Sequence, residues 1–340
     1  MKLIYGSLFG VILILGVLLI EPGSNAWSHP ERINGVSLVN PYNPIDSVDM
    51  SEIKRVNANW VAMIPFAFSK QGEPGVYFNH DRQWWGEKVA GCKLMVSLAQ
   101  SNDYKVMMKP HVWMRGDWIG EYFLESEEDW QEWEKQYSAY ILEYAKLSEE
   151  MNVELLCIGT ELKQTILKRS IYWEKLIPEI RKAYSGKLTY ASNWDNYRQV
   201  TFWDKLDYIG VDAYFPLSSA VNPGDKELLA SCQRLKSELK EFSQEIGKPL
   251  LFTEYGFRSA EGAAGNHWEI TRETTVDLEI QVRAYDAFLS TFWGEDWFAG
   301  GFLWKWHFIP DAGGLQNNDF TPQNKPVEAT IKKWYSRATL

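Results

Sequence analysis

Eight short apolar runs alternate with longer amphipathic segments after residue 30, and this alternation constrains the fold more than any other feature. Apolar and polar residues hardly alternate within the runs, which is typical of parallel strands buried on both faces. The eight strand candidates are Gly35–Leu38, Trp60–Pro65, Val106–His111, Leu155–Glu161, Leu188–Trp194, Tyr208–Tyr214, Leu250–Glu254 and Gly301–Trp306. Eight strands alternating with helices over about 300 residues predict a single-domain α/β fold, the (β/α)₈ TIM barrel, over residues 27–340. A doubly wound open sheet is the alternative, but no G-x-G-x-x-G follows the first strand candidate.

Amphipathic helices are predicted between the strands. The longest candidate is Glu125–Met151, where Trp and Tyr recur at steps of three and four residues. Ser126 is a candidate N-cap, with Asp129 three residues later in the manner of a capping box. The other helix candidates are Tyr172–Tyr184, Asp225–Ile246, Leu278–Phe292 and Val327–Ser336. A barrel of this kind builds its active site at the C-terminal ends of its strands, so the strand ends carry the functional prediction.

The fourth and the seventh strand candidates each end in a glutamate, Glu161 and Glu254. A carboxylate is unfavourable in a buried apolar run unless it lies at the barrel mouth, where a ligand or solvent meets it. Two mouth glutamates are what retaining glycoside hydrolysis requires, one as nucleophile and one as acid/base. Two carboxylates that lie close together cannot both ionise freely, so one is expected to stay protonated at working pH. A single strand-end glutamate is more often a salt-bridge partner, so the prediction depends on the pair.

The other strand ends carry groups that suit a sugar, namely polar side chains for hydroxyls and flat rings for apolar faces. Trp is frequent, with 17 residues, so we expect at least two to line a ligand groove. The predicted substrate-binding residues are Lys109, His111, Trp113, Asn193, Tyr214 and Trp304. Two of them have an alternative role, since Lys109 could partner a nearby carboxylate and His111 could be a structural imidazole. Asp212, at the end of the sixth strand candidate, is predicted to be structural.

With these motifs in this order, the chain resembles glycoside hydrolase family 113, the β-1,4-mannanases, within the clan of retaining (β/α)₈ glycoside hydrolases. The matching stretches are Gly159–Leu162, Phe252–Phe257, Met108–Trp113, Gly210–Tyr214 and Thr321–Pro326. The resemblance implies Glu161 as acid/base and Glu254 as nucleophile. It also implies that Tyr214 hydrogen-bonds Glu254, and that the substrate is an oligosaccharide or polysaccharide, with β-mannan favoured.

The chain departs from the wider clan at Thr160, where most members have an Asn that holds the sugar 2-hydroxyl. Thr at this position fits the family 113 pattern, and Asn193 and Lys109 are the candidates for holding that hydroxyl. Two functional alternatives remain. One is a retaining β-glycosidase or β-glucanase of other sugar specificity, and the other is a non-catalytic carbohydrate-binding barrel. Retention of both glutamates disfavours the non-catalytic reading.

Composition argues against other kinds of partner. The net charge is −10 and there is no run of Lys and Arg, so no nucleic-acid surface is predicted. The five histidines are scattered and no Cys/His cluster has metal-ligand spacing, so neither a metal nor a cofactor is predicted. Of the three cysteines, Cys157 is expected to be a small buried hydrophobe, whereas Cys92 and Cys232 could pair.

Residues 1–26 are predicted to be a targeting segment rather than part of the barrel. Lys2 precedes an apolar run from Leu3 to Ile20, and Ser24 to Ala26 resembles a cleavage site. The run approaches the length of a transmembrane helix, so an uncleaved N-terminal membrane anchor competes with a cleaved signal peptide, which is favoured. In either case the protein is predicted to be exported, either secreted or periplasmic, or anchored and facing outside the cytoplasm. That anchor is the only predicted membrane contact.

Overall fold

The computed structural model describes residues 31–337, so the predicted targeting segment lies outside the described residues. In chain order the strands of this part are β1 (Ile33–Leu38), β2 (Trp60–Met63), β3 (Phe66–Lys70), β4 (Glu73–Tyr77), β5 (Lys105–Met108), β6 (His111–Met114), β7 (Leu155–Thr160), β8 (Lys187–Asn193), β9 (Ile209–Asp212), β10 (Leu250–Tyr255) and β11 (Phe298–Trp306). The α-helices are α1 (Val89–Ser101), α2 (Glu127–Glu150), α3 (Lys163–Lys168), α4 (Ser170–Ala183), α5 (Asp225–Ile246), α6 (Leu278–Phe292) and α7 (Val327–Tyr335). Among the helices of this part, none is both long and apolar enough to cross a membrane.

Eight of the strands close a parallel barrel in the order β1-β2-β5-β7-β8-β9-β10-β11, and β11 pairs with β1 to complete the circle. The register at the closure places Val36 opposite Val61 of β2 and opposite Leu303 of β11. Helices surround this barrel, which confirms the predicted TIM barrel. Because all eight strands run the same way, their C-terminal ends meet at one rim.

Apolar side chains fill both sides of the barrel wall, which explains why the strand sequences do not alternate. All six residues of β7 are buried, and so are all six of β10. One buried cluster draws only on barrel strands and occupies the interior, with Trp60, Met107 and Phe302 among its members. Gly35 makes room for Phe302, since a Cβ at residue 35 would lie 2.2 Å from that ring. A larger cluster packs the outside of the barrel against the helices.

Helix α2 begins where the sequence predicts. Ser126 Oγ accepts a hydrogen bond from the Asp129 backbone N–H at 3.0 Å, which confirms Ser126 as the N-cap. The buried aromatic residues of the helix are Trp130, Trp133, Tyr137, Tyr140 and Tyr144. The Tyr140 hydroxyl donates a shared hydrogen bond to the carbonyl oxygens of Pro65 and His111, at 3.0 and 2.9 Å. One side chain of the helix therefore fixes the backbone just beyond two barrel strands.

The structure corrects the third strand candidate, Val106–His111. Strand β5 ends at Met108 and a separate strand begins at His111, because Pro110 between them has no N–H to donate to a ladder. The separate strand, β6, pairs with β3, and β3 pairs with β4, in a three-stranded sheet outside the barrel. The sequence predicted neither this sheet nor helices α1 and α3.

The three cysteines are all buried free thiols. The suggested pairing of Cys92 with Cys232 is therefore wrong. Cys157 lies within β7 and is completely buried, as expected for a small hydrophobe in a strand that has no exposed face.

Candidate active site

A cavity of about 820 Å³ opens at the C-terminal ends of the barrel strands. Its lining residues are Phe66, His111, Trp113, Trp118, Glu161, Asn193, Trp194, Asp195, Tyr214, Glu254, His267, Trp268, Trp304 and Phe320. Seven of the eight site residues predicted from the sequence line this cavity, and Lys109 is the exception. The cavity lies on the barrel face where binding and catalytic groups are expected.

Glu254, near the end of β10, is held by three side chains. The Tyr214 hydroxyl donates to Oε2 at 2.7 Å, which is the contact implied by the family resemblance. The Lys109 ammonium donates to Oε1, and His111 Nε2 lies 3.3 Å from the same oxygen. Burial alone would raise the pKa of the Glu254 carboxyl, but the Lys109 charge and the His111 contact outweigh burial and lower that pKa to about 2. Glu254 is therefore a carboxylate at neutral pH.

Lys109 is completely buried and lies behind Glu254 rather than in the cavity wall. Its ammonium also lies 3.3 Å from Asp212 Oδ2 and 3.1 Å from His111 Nε2. Burial disfavours the charged lysine, but the charges of Asp212 and Glu254 outweigh burial and raise the pKa of Lys109. Burial and the neighbouring Glu254 charge raise the pKa of Asp212, which accepts a hydrogen bond from the Thr253 hydroxyl at 2.8 Å. Lys109 is placed as the charge partner of a carboxylate, one of the two roles that the sequence left open.

Glu161 follows β7 in a left-handed backbone conformation, with φ at +54°, which is uncommon for a residue with a side chain. Its backbone N–H donates to the Ala191 carbonyl at 2.8 Å and holds this conformation. The side-chain Oε2 accepts a hydrogen bond from Trp118 Nε1 at 2.6 Å. Burial, followed by the charge of Glu254, raises the pKa of Glu161 to about 7, although the Trp118 hydrogen bond acts in the opposite direction. Backbone strain of this kind costs on the order of 1–3 kcal/mol and is typical of functional sites.

The two glutamates therefore have opposite environments within one cavity. Glu254 is ionised beside a lysine, and Glu161 retains a proton near neutral pH. Burial and the Lys109 charge lower the pKa of His111 to about 4, so this imidazole is neutral. Titratable groups whose environments move their pKa values apart identify the acid and the base of a site. The arrangement supplies one carboxylate and one carboxylic acid.

One positively charged side chain lies within the site. Among residues 31–337, no group of three or more His, Cys, Asp and Glu residues is arranged to hold a metal ion. Lys109 places a cation next to Glu254 and Asp212.

Aromatic rings form much of the cavity wall. The Trp304 ring is parallel to the His111 imidazole, with centroids 6.3 Å apart and an interplanar angle of 7°. The Trp194 and Trp268 rings are also parallel, at 6.4 Å and 10°. Trp113 and Trp268 are about half exposed. Flat, accessible rings offer a stacking surface to the apolar faces of a sugar.

Of the two candidates for holding a sugar 2-hydroxyl, Asn193 is the one that lines the cavity. It lies at the end of β8, and its side-chain amide donates to Asp195 Oδ1 at 2.9 Å. The buried Thr160 hydroxyl donates to the Pro110 carbonyl at 3.3 Å, so Thr160 contributes to the support of the site and not to its lining. Lys109 is enclosed behind Glu254.

Sequence reasoning missed several residues that line the cavity. Phe66 and Trp118 belong to the sheet and loop regions that the strand pattern did not predict. Trp194 is the last residue of the fifth strand candidate, and this strand-end position indicates it, although it was not among the predicted site residues. His267 and Trp268 lie in the long loop between β10 and α6, which has no hydrophobic periodicity. Only the location of this loop after a barrel strand is a signal of function.

Comparison with known proteins identifies a family and similar structures. The model of Glycoside Hydrolase Family 113 matches residues 43–325. The chain is similar to the structure of a GH113 β-mannanase from Alicyclobacillus acidocaldarius in complex with ManMIm, with 25% identity, 92% of this chain and 99% of that chain covered, and a TM-score of 0.81. It is similar to a complex structure of a GH113 β-1,4-mannanase, with 26% identity, 90% and 100% coverage, and a TM-score of 0.75. A comparison with curated protein sequences gives no match.

More distant similarity extends to the barrel fold alone. A β-glucuronidase from Faecalibacterium prausnitzii has 15% identity and a TM-score of 0.57, with 91% of this chain and 50% of that chain covered. The family match, by contrast, spans most of the chain and contains both glutamates and the strand ends around them. The chain therefore belongs to glycoside hydrolase family 113 and is a glycoside hydrolase.

Proposed function

We propose that this glycoside hydrolase is a retaining enzyme that cleaves β-1,4-linked mannan, with Glu254 as nucleophile and Glu161 as acid/base. The observation that carries the proposal is the contrast between these two glutamates. They line one cavity, yet one is a carboxylate and the other keeps a proton near neutral pH. The choice of mannan is supported by the similarity to structures of β-mannanases.

In the first step an oxygen of Glu254 attacks the anomeric carbon, and the bond between that carbon and the glycosidic oxygen breaks. Glu161 transfers its proton to the departing oxygen, so the leaving sugar departs as a neutral alcohol. Lys109 and Tyr214 hold the attacking carboxylate in place through its two oxygens. The product of this step is a glycosyl ester on Glu254, and Glu161 is now ionised.

In the second step a water molecule attacks the same carbon and the ester bond to Glu254 breaks. Glu161 takes a proton from the water, which restores both glutamates to their starting states. The hydrogen bond from Trp118 Nε1 stabilises Glu161 while it is ionised between the two steps. Two inversions at one carbon give net retention of configuration.

Hydrolysis of mannohexaose and cellohexaose, followed by product chromatography, tests the proposal. We expect the parent to cleave mannohexaose in preference, and Glu161→Gln and Glu254→Gln to lose activity by on the order of 10³-fold or more. Glu128→Gln is the matched control, because Glu128 is exposed on α2 and outside the cavity, and it should keep the parent rate. Preference for cellohexaose would assign a different sugar. Binding of either oligosaccharide without cleavage would support a non-catalytic barrel.

We also propose that the protein acts outside the cytoplasm. The support is the sequence of residues 1–26, with Lys2 before the apolar run and small residues around Ala26. Fractionation of cells that produce the full chain, with N-terminal sequencing, is the test. A released protein beginning at Trp27 indicates a cleaved signal peptide, and an intact N-terminus in the membrane fraction indicates an anchor. Recovery of the intact chain in the cytoplasm would contradict export.

A further inference from the structure

Asp212, at the C-terminal end of β9, is a buried carboxyl group that takes no part in the two proposed catalytic steps. It lies opposite Glu254 in the register of β9 and β10, it is completely buried, and it does not line the active-site cavity. Its Oδ1 accepts a hydrogen bond from the Thr253 hydroxyl at 2.8 Å, and its Oδ2 lies 3.3 Å from the Lys109 ammonium. Asp212 therefore cannot contact a substrate, and any effect that it has on the reaction passes through its neighbours.

Lys109 brings one positive charge to two carboxyl groups. Its ammonium donates to Glu254 Oε1 and to Asp212 Oδ2, and His111 Nε2 lies 3.1 Å away. His111 is neutral, and burial raises the pKa of the nearby Cys157 thiol to about 11, so neither group brings a negative charge. In the described part of the chain, Glu254 and Asp212 are thus the two groups that can balance the charge of Lys109.

The proposed mechanism removes one of these two negative charges and later restores it. Glu254 is a carboxylate before it attacks the sugar and a neutral ester in the glycosyl-enzyme. Lys109 is completely buried, and a buried cation that loses its partner is strongly destabilised. The ester is therefore unfavourable unless a second anion lies beside the ammonium, and Asp212 is in position to supply it.

The ionisation of Asp212 depends on the charge of Glu254. While Glu254 is ionised, burial and the Glu254 charge raise the pKa of Asp212, and the charge of Lys109 acts in the opposite direction. In the ester the Glu254 charge is absent and the Lys109 charge remains, so the pKa of Asp212 falls. Asp212 then releases a proton to solvent, and it takes a proton back when water breaks the ester bond. The complete cycle therefore consumes no proton at Asp212.

We propose that Asp212 is a positioning residue that acts as the counter-ion of Lys109 while Glu254 is esterified. It keeps the ammonium charged and in place, so that Lys109 can receive the carboxylate that the second step releases. The proposal rests on the proposed function, since it requires an ester on Glu254.

The test measures formation and hydrolysis of the ester separately, with 2,4-dinitrophenyl 2-deoxy-2-fluoro-β-mannobioside as the reagent, because its fluorine slows both steps. Release of dinitrophenolate gives the rate of formation, and mass spectrometry of the labelled protein, freed of excess reagent, gives the rate of hydrolysis. Asp212→Asn removes the charge and keeps the shape of the side chain and an oxygen for the Thr253 hydroxyl. We expect this variant to form the ester more slowly and to hydrolyse it faster, each by about tenfold or more. The reason is that loss of the counter-ion destabilises the ester relative to both transition states, in which Glu254 carries part of its charge.

Opposite changes in the two rates distinguish this role from a structural one, since a distorted site would slow both steps. The matched control is Asp207→Asn, because Asp207 forms ion pairs with Arg181 and Lys187 outside the cavity and should leave both rates unchanged. Thr253→Val is a second variant, for use if Asp212→Asn does not fold or forms too little ester. It removes the hydrogen bond that favours ionised Asp212, so both rates should change in the same directions by smaller factors.

The possible results separate the two proposals. Unchanged rates, or slower hydrolysis of the ester, in Asp212→Asn and Thr253→Val would overturn the role of Asp212 and leave the proposed function in place. Absence of label on Glu254 in the parent would mean that no ester forms, which overturns the retaining mechanism and the role of Asp212 with it.

Discussion

At the scale of single residues, one buried cation governs the site. Lys109 lies against Glu254 and Asp212, so Glu254 is ionised, whereas Glu161 receives no such contact and its burial favours the protonated form. The sequence predicts that two strand-end glutamates share a site, and the family resemblance implies their roles. The sequence does not predict which glutamate is ionised and which is protonated, because the contact that decides this joins Lys109 to Glu254, 145 positions further along the chain.

Removing one hydrogen bond should move the pH profile of the enzyme. The Trp118 hydrogen bond favours ionised Glu161 and lowers its pKa, so Trp118→Phe should raise that pKa above its value of about 7. The proton donor is the protonated acid, so activity is lost as pH rises through this pKa. We therefore expect the alkaline limb of kcat/KM to move to higher pH, by about half to one unit.

Trp268→Phe is the control for that shift, since Trp268 lines the same cavity without a hydrogen bond to Glu161. Its alkaline limb should stay at the parent position even if the rate falls. An unshifted limb in Trp118→Phe, or a shift to lower pH, would show that Glu161 does not set the limb.

The acid/base role proposed for Glu161 has a chemical signature of its own. Glu161→Ala should lose most activity on mannan oligosaccharides, whose leaving groups need a proton, and keep more on dinitrophenyl glycosides, whose leaving groups do not. Azide should restore part of the turnover of the activated substrate, because it attacks the glycosyl ester without a general base. Rates on both substrates, with and without azide, provide the measurement. Equal losses on both and no effect of azide would contradict the role.

At the scale of elements, Tyr140 shows what periodicity predicts and what it leaves out. The three- and four-residue spacing of aromatics predicts α2 and its buried face. It does not predict that the hydroxyl of one of them holds the carbonyls of Pro65 and His111. The break of a strand candidate at Pro110 is visible in the sequence only when the missing N–H is considered. The strand after Pro110 is β6, and the sequence gives no indication that β6 pairs with β3.

Tyr140→Phe should therefore destabilise the protein without disturbing the aromatic packing. The substitution removes only the hydroxyl of a completely buried residue, and both carbonyls lose the hydrogen bond from that hydroxyl, although Pro65 still accepts one from the His111 backbone N–H at 2.9 Å. We expect the free energy of unfolding to fall by about 1–3 kcal/mol in urea titrations. Tyr77→Phe removes a hydroxyl from an exposed ring and should change the unfolding free energy by less than about 0.5 kcal/mol. Equal stabilities of the two variants would show that the shared hydrogen bond contributes nothing.

At the scale of the whole molecule, the barrel was predictable because the same pattern, a buried apolar strand followed by a helical segment, occurs eight times along the chain. Strands buried on both faces leave apolar runs, and a glutamate at the end of such a run identifies the rim, as for Glu161 and Glu254. The loops over the rim do not repeat. Trp268 reaches the cavity from the loop between β10 and α6, and Trp118 reaches it from the segment between β6 and α2. Their positions depend on packing between distant parts of the chain, which no local pattern records.

The stereochemistry of the product tests the barrel and the site together. Glu161 directly follows β7, and Glu254 lies in β10, three strands further around the barrel. The two residues line the same cavity from different sides. If Glu254 attacks the anomeric carbon directly, a second attack by water restores the original configuration. Proton NMR during early hydrolysis of mannohexaose should show the β-anomer of the new reducing end first, with the α-anomer appearing later by mutarotation. A sample of the products kept without enzyme supplies the mutarotation rate for comparison. Early appearance of the α-anomer would mean that water attacks in a single displacement, with Glu254 acting as a base and not as a nucleophile.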